Sequence, residues 1–578
     1  MSQVTLPAAE DRASVEKTTN PSGFLSPNRD AERGAVRSAS TSVSGVDTLV
    51  EKSQPHGDKA EEPPRTVKGF TWALVVLAIL SSTFLFALDN TVVADVQPTI
   101  VERFGDIGKL PWLSVAFLLG TASTILVWGR IYGQMNAKWL YVGTVFLFEA
   151  GSAICGAANT MDALIFGRAI AGVGGAGMYV GVMTLLSVTT TMHERPMYIG
   201  MTGLTWGAGT VLGPVIGGAF ADNKHTTWRW AFYINLVIGG AFAPVYLFLL
   251  PSSDPRKGVS YRKRLAQIDF VGTILIIGAT TSGVMALSFG GLTWPWNSGK
   301  IIGLFCTSGV LFILFGLQQV FAVFTTVEQR LFPVHFVKSK IMLILFAMTA
   351  SAATSVFLPV YFIPLFFQFV KQDTALEAAV RLLPFICLMV FVVFANGAIL
   401  SKYGLYMPWY LVGGILVVIG SALMFTVDEN SSTSSVYGYS VLIGIGAGCY
   451  VQASFSVAQA KVVPDEIPMV VGFISSSQVL GITISLAIAN TSFLNTAARK
   501  LTVILPNASS EQVKAAIAGV GSTLFKNLSD EVRGKVLHAI VQAINQSYIL
   551  VMTAGALTVV LSVFMKREKL FLEGGAAA

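Results

Sequence analysis

From residue 70 onward the chain is a series of long apolar runs separated by short polar stretches. Several runs pass the roughly 18 residues that a membrane-spanning helix needs. They fall at 70–97, 110–132, 138–159, 162–187, 197–221, 230–250, 268–289, 301–324, 341–364, 378–400, 406–426, 437–460, 467–493 and 546–565. Membrane barrels show alternating strands of about 10 residues, and these runs do not alternate. The pattern therefore predicts an all-α membrane protein with fourteen transmembrane helices. The first run is long enough to predict a helix that tilts or extends past the bilayer.

Residues 1–68 break the pattern. They are rich in Ser, Pro, Glu and Lys and have no apolar face, which predicts a disordered tail without a signal peptide. Charge orients the rest. One set of loops carries Arg130, Lys138, Arg195, the basic run Arg256 to Arg264, Arg330, Lys338, Lys340, Lys402, Lys461 and Lys566 to Lys569. The opposite loops carry only Arg103, Lys109, Lys224, Arg229, Lys300 and Lys371. Excess Lys and Arg mark the cytoplasmic side, so both termini are expected in the cytoplasm and 494–545 is expected as a long external loop. Glycosylation acceptor triplets begin at Asn430, Asn507 and Asn527, all on the expected outer side. Ser529 before Asp530 and Glu531 reads as a helix start, so a short surface helix is expected inside that loop.

The chain also repeats itself. Met192-His193-Glu194-Arg195-Pro196 precedes the fifth run, and Pro464-Asp465-Glu466-Ile467-Pro468 precedes the thirteenth. Gly200 and Gly472 follow them in step. Gly129-x-x-x-Gly133-x-x-Asn136 is echoed by Gly397-x-x-x-Ser401-x-x-Gly404. Two parallel six-helix halves are one transporter plan. The expected layout is a cytoplasmic tail at 1–68, a first half at 69–250 and a linker with two extra helices at 251–340. A second half at 341–565 holds the external loop, and 566–578 is a cytoplasmic C-terminus.

Composition narrows the function. Hydrophobic residues make up 53% of the chain and charged residues 12%, against about 25% charged in soluble domains. Mean hydropathy is +0.65. The net charge of +7 sits in short loops between runs, which argues against a nucleic-acid partner. Cys155, Cys306, Cys387 and Cys449 all lie in apolar runs and are expected to be reduced core thiols. The sequence has no phosphate-binding G-x-x-x-x-G-K-[ST] loop, no nucleophile elbow and no paired metal-ligating histidines. No metal, cofactor or enzymatic activity is expected.

The fifth run holds the densest motif: Gly200, Gly203 and Gly207, then Gly209-Thr210-Val211-Leu212-Gly213-Pro214-Val215-Ile216-Gly217-Gly218. Glycines four apart line one helix face and admit a close neighbour. Pro214 removes a backbone hydrogen bond. The readings are a hinge or seal at Gly209, Gly213, Pro214, Gly217 and Gly218, or plain close packing. This stretch resembles the antiporter motif of the major facilitator superfamily. Leu88-Asp89-Asn90-Thr91-Val92-Val93, ending at Pro98, is similar to the first-span motif of its fourteen-span drug:proton antiporter branch. Arg168-Ala169-Ile170-Ala171-Gly172-Val173-Gly174-Gly175-Ala176 and Trp228-Arg229-Trp230-Ala231-Phe232-Tyr233-Ile234-Asn235 resemble its fourth- and sixth-span motifs. The resemblance covers about 70–565.

The loop after the second run, Gly129-Arg130-Ile131-Tyr132-Gly133-Gln134-Met135-Asn136-Ala137-Lys138, departs from the family. Gly133 stands where the family usually has Asp, and Asn136 where it has Gly. Gly133 offers no carboxylate for the charge latch that the family's Asp implies. Gly129, Arg130 and Lys138 remain the expected cytoplasmic gating residues, with the two cations pairing to a helix C-terminus. Asp95 also stands where an apolar residue is usual.

Asp89, Glu149 and Arg168 lie inside apolar runs. An ionised group there costs several kcal/mol unless paired or wetted. At a rise of 1.5 Å per residue the three sit roughly 9 to 15 Å deep, close enough to meet. They are expected to couple protons, with a static ion pair as the alternative. At the repeat offset Glu149 faces Ser421 and Arg168 faces Ser440. The second half is expected to supply a neutral, aromatic lining with Tyr361, Phe362, Phe366, Phe367, Gln368, Gln478 and Asn490, or to turn those aromatics to lipid. Trp206, Tyr361, Gln368 and Gln478 are the expected substrate contacts.

The resemblance implies a secondary transporter similar to fungal toxin and multidrug efflux members, exporting an amphipathic organic compound against protons. The alternative on the same fold is proton-coupled uptake of a nutrient or iron-chelate complex. The expected setting is the plasma membrane, or the vacuolar membrane, with the chain acting as a monomer.

Overall fold

The computed structural model describes residues 67–106, 109–222, 227–291, 293–506, 517 and 529–570. Fourteen helices among them are long and apolar enough to cross a membrane. The first half holds α1 (Gly69–Phe104), α2 (Trp112–Tyr132), α3 (Ala137–Ala157), α4 (Met161–Thr189), α5 (Arg195–Asp222) and α6 (Trp230–Pro244). The inserted pair is α7 (Phe270–Phe289) and α8 (Gly299–Phe321). The second half holds α9 (Lys340–Val370), α10 (Leu383–Tyr403), α11 (Met407–Phe425), α12 (Thr433–Gly448), α13 (Ile467–Ile504) and α14 (Asp530–Val563).

Polar side chains set where helices begin. Asn136 Oδ1 accepts from the Lys138 and Trp139 amides at the start of α3. Thr160, Asp269, Ser298 and Ser432 each accept from a first-turn amide of α4, α7, α8 and α12. Each satisfies a donor that has no partner inside the helix. The outside of the bundle is apolar: Phe248 is 80% exposed, Phe146 74% and Ile274 71%. Such a surface is unsuited to water but matches hydrocarbon.

The helices pair in one pattern, used twice. In the first half α1 packs on α5 and α6, α2 on α4, and α3 on α4 and α6. In the second, α9 packs on α13 and α14, α10 on α12, and α11 on α12 and α14. The halves meet where α2 packs on α13 and α5 on α10, and the inserted pair leans on α2 through α7. The fold is a bundle of two six-helix halves plus two inserted helices.

Two expectations are corrected. The predicted loop 494–545 is helical at both ends, because α13 runs on to Ile504 and α14 begins at Asp530. Ser529 does stand at a helix start, without a side-chain capping hydrogen bond, yet that helix is the last span itself and not a short surface helix. The two extensions pack together through Ala497, Leu501, Ala539, Ile540, Ala543 and Ile544, all buried, and Thr496 Oγ1 donates to Gln546 Oε1 at 3.0 Å. Their other faces are polar, so average hydropathy hid them. Second, the four cysteines are unpaired, but only Cys155 and Cys449 are buried; Cys306 and Cys387 are exposed on the apolar exterior.

Candidate functional site

Asp89 on α1 and Arg168 on α4 form an ion pair, with both side chains essentially inaccessible. Arg168 Nε also donates to the Leu113 carbonyl at 3.0 Å, and its guanidinium lies 4.3 Å from the centre of the Phe117 ring. Asn235 Nδ2 on α6 donates to Asp89 Oδ1 at 3.2 Å and to Ser152 Oγ at 3.1 Å. Helices α1, α4 and α6 thus meet at one carboxylate whose charge is paired and each of whose oxygens accepts a hydrogen bond.

Glu149 stands apart from this pair. It lies on α3 one turn before Ser152. One turn after Asn235 on α6 comes Gly239, where a Cβ would collide with the Glu149 carboxyl group. Both Glu149 carboxyl oxygens are buried and have no hydrogen-bond partner among the described residues. The structure therefore brings Asp89 and Arg168 together and leaves Glu149 a turn away, unpaired. At the repeat positions, Ser421 and Ser440 are buried and donate to their own helix carbonyls, Val417 and Tyr437.

A cavity of about 310 Å³ lies between the halves. Its wall includes Asn90 and Thr91 of α1, Trp206 and Pro214 of α5, and Tyr361 and Gln368 of α9. Trp206 is held by edge contacts to Phe86, Tyr179 and Phe357 at 5.4, 5.7 and 6.3 Å between ring centres. Asn90 was not among the expected contacts; its place beside Asp89 in an apolar run was the available signal. Gln478 is not part of the wall, since its Oε1 accepts from Tyr179 Oη at 3.0 Å across the two halves. Phe362, Phe366 and Phe367 are buried in the core of the second half rather than lining the cavity or facing lipid. Asn490 is not in the wall either.

The glycines of α5 serve two neighbours. A Cβ on Gly209 would lie 2.7 Å from the Ala87 Cβ, and one on Gly213 would collide with Thr91 Oγ1, so this face seats α1. Gly200, Gly203 and Gly207 face α10 instead, at Val393, Val390 and Ile386. Gly217 is buried. Gly218 has open space around it, so it does not belong to the packed face.

The end of the bundle where α1 begins, the tail end, is closed. A Cβ on Gly129 of α2 would lie 2.8 Å from the Gly472 Cα of α13. A Cβ on Gly397 of α10 would lie 2.6 Å from the Pro196 carbonyl oxygen of α5 and 3.3 Å from the Gly200 Cα. Arg130 donates to the Glu328 carbonyl in the connector after α8 and to Met469 Sδ of α13 at 3.2 Å. Arg130 thus pairs with a turn carbonyl and not a helix C-terminus, because the turn at Thr326–Arg330 leaves that carbonyl free to accept. Lys138 is buried with its ammonium 5.6 Å from the Trp139 ring centre. Asn136, the family departure, caps α3 and donates to Ser252 Oγ at 2.7 Å. Of the glycosylation acceptors, Asn430 is exposed in the turn between α11 and α12. Asn507 and Asn527 lie outside the described residues, as does the Asp95 side chain. Among the described residues no cluster of His, Cys, Asp or Glu has the makings of a metal site.

Residues 79–486 match the sequence profile of the Major Facilitator Superfamily. The chain is 56% identical over 522 residues to the MFS-type transporter pgmG of Aspergillus terreus, covering 90% of this chain and 93% of that one. It is 47% identical over 523 residues to the efflux pump alnA of Emericella nidulans, covering 90% and 94%. Among solved structures, the human organic anion transporter MFSD10 superposes with a TM-score of 0.53 at 12% identity, covering 84% of this chain and all of that one, a likeness of fold alone. The repeated helix pairing, the glycine-lined α5 and the match across both halves agree: this chain is a membrane-embedded member of the major facilitator superfamily, a family of transporters.

Proposed function

We propose that the chain is a secondary transporter that exports an amphipathic organic compound, a toxin or other secondary metabolite, in exchange for protons. The observation that carries this reading is on α1. Asp89 sits in the buried ion pair, and the next two residues, Asn90 and Thr91, line the cavity between the halves. Consecutive residues join the charge cluster to the cargo space. The Asp89–Arg168 pair holds the first half together. Glu149 takes and releases the proton, because an ionised group within a membrane is costly unless paired or wetted and its carboxyl has no bonding partner among the described residues. Gly209, Gly213 and Pro214 form the surface on which α1 and α5 shift against each other.

Export is favoured over uptake by the efflux pump alnA, a relative over nine-tenths of the chain. Both termini face the cytoplasm in this reading, by the placement of Lys and Arg, and Asn430 faces outward. The chain acts as a monomer in the plasma membrane, or in the vacuolar membrane.

The test is export by cells or inverted vesicles under an imposed pH gradient, with Glu149→Gln as the variant. The isosteric amide keeps the shape and removes the titrating group. Gradient-driven export is expected to fail while cargo binding persists. Export at the unaltered rate in that variant removes Glu149 from the mechanism. Uptake driven by the same gradient reverses the assigned direction.

A further inference from the structure

Resting on the transport reading of the cavity, we infer that the cargo is bound as an uncharged, flat molecule whose polar groups are held by two side-chain amides, Asn90 from the first half and Gln368 from the second.

Every described residue lining the cavity is uncharged. Its threonine hydroxyls already spend their protons within the helices: Thr91 Oγ1 donates to the Ala87 carbonyl at 3.1 Å, and Thr210 Oγ1 to the Trp206 carbonyl at 3.0 Å. The amides of Asn90 and Gln368 differ. Neither makes a hydrogen bond among the described residues, and both border the same space. An amide both donates and accepts, so it suits carbonyl and hydroxyl groups and needs no ionic partner. Gln368 also has the right neighbours. Phe357, Tyr361, Pro364 and Gln368 recur at intervals of four, three and four along α9, and all four line the cavity. Across from them, Trp206 meets Phe357 nearly edge to face at 80°. Flat apolar walls with free amides fit a conjugated ring system carrying oxygen substituents.

The wall also selects against charge. An ion entering this space gives up hydration and meets no counter-charge among the described residues, a penalty that neutral polar groups with hydrogen-bond partners avoid. A cargo bearing a carboxyl group is therefore carried as the neutral acid. Asn90 follows Asp89 directly, so the same turn of α1 that grips the cargo also carries the ion pair.

The test is equilibrium dialysis of the full-length protein in lipid nanodiscs at pH 7.5, without any gradient. The probes are anthraquinone-2-carboxamide, the isosteric anthraquinone-2-carboxylate, and phenanthrene, which has no polar group. The carboxamide is expected to bind at least about tenfold more tightly than the carboxylate. Asn90→Ala and Gln368→Leu are each expected to weaken the carboxamide by about five- to twentyfold and to leave phenanthrene unchanged, which also shows that the variants are folded. Equal or tighter binding of the carboxylate overturns the neutral-cargo inference. Equal losses for the carboxamide and phenanthrene, or no loss for either, overturn the role of the two amides. Because no proton gradient is applied, these outcomes are separate from gradient-driven export. A chain that prefers the carboxamide but does not export against protons refutes the transport reading and keeps the binding inference.

Discussion

Asp89 and Asn90 are neighbours in sequence but face different surroundings, and the difference sets what each substitution does. Asp89 neutralises a buried guanidinium. Asp89→Asn leaves Arg168 charged without its counter-ion and is expected to cost about 3–5 kcal/mol of stability. Arg168→Gln in the same chain restores part of it, since a buried pair costs most when only one partner is removed. Thermal unfolding of single and double variants in detergent measures this; a double variant no more stable than Asp89→Asn refutes the pairing. Gly213→Val tests the neighbouring contact. It drives a branched side chain into Thr91, and transport is expected to stop while the protein still reaches the membrane. Transport at the ordinary rate means that α1 and α5 do not move at this point. The charges were legible because an ionisable residue in an apolar run is conspicuous. Their partners were less so: depth along the helix allowed all three to meet, whereas the faces of α3 and α6 hold Glu149 a turn from the pair. Gln478 was misplaced for a related reason, since Tyr179, which holds it, is 299 residues away in the chain.

Between elements, short polar segments tie helix ends together. Asp269 caps α7 and is buried, accepting from the Gly272 amide at 2.8 Å, Gln318 Nε2 at 3.1 Å, Gln319 Nε2 at 2.6 Å and the Leu331 amide at 3.2 Å. One carboxylate thus fixes the start of α7, the end of α8 and the connector whose Glu328 carbonyl receives Arg130. Asp269→Ala strands buried donors and is expected to cost about 1–3 kcal/mol. It is also expected to raise hydrogen exchange in residues 325–333, and unchanged protection there counts against the role. At the far end of the chain, Lys461 Nζ stands 2.6 Å from Glu568 Oε1 and holds that carboxyl below its ordinary 4.5. A carboxyl lowered on folding contributes stability above its unfolded value and loses it as pH falls through the lowered one. Docking of residues 566–570 against Gly404 and Leu405 is therefore expected to loosen on acidification below that range. Glu568→Gln should abolish that dependence in exchange measurements, and a pH profile identical to that of the unaltered chain excludes this contact as its source. Apolar run length predicted the helices themselves well, because hydrocarbon admits few alternatives. It failed where a helix leaves the bilayer: the polar faces of 494–504 and 530–545 lowered average hydropathy, although their buried faces pack as helices do.

Across the whole molecule, the repeat and the closure are one feature. The weak echoes in the sequence paired Gly129 with Gly397 and Gly200 with Gly472. In the fold each touches the repeat mate of the other: Gly129 meets Gly472, and Gly397 meets Gly200. Both contacts lie near the tail end of α2, α5, α10 and α13, while the cavity runs from mid-helix toward the opposite end. Backbone-to-backbone contact at these points leaves no room for a side chain, so the two halves separate there only by tilting as bodies. With the tail in the cytoplasm, as proposed above, this is the arrangement in which cargo leaves outward. Gly397→Val is expected to pry open the α5–α10 contact and shift the population toward a tail-side opening. Gln459 reports that opening, because its Oε1 accepts from Ser187 Oγ across the halves and it is buried. In a chain lacking Cys155, Cys306, Cys387 and Cys449, a Gln459→Cys substitution is expected to react several times faster with an impermeant maleimide when Gly397→Val is present. The reagent is applied from the tail side, and a label introduced in the turn at Asn430 serves as the unaffected reference. An unchanged rate at Gln459→Cys means that the glycine contacts are packing without a part in closure. A faster rate from the Asn430 side alone places the opening at the other end of the bundle.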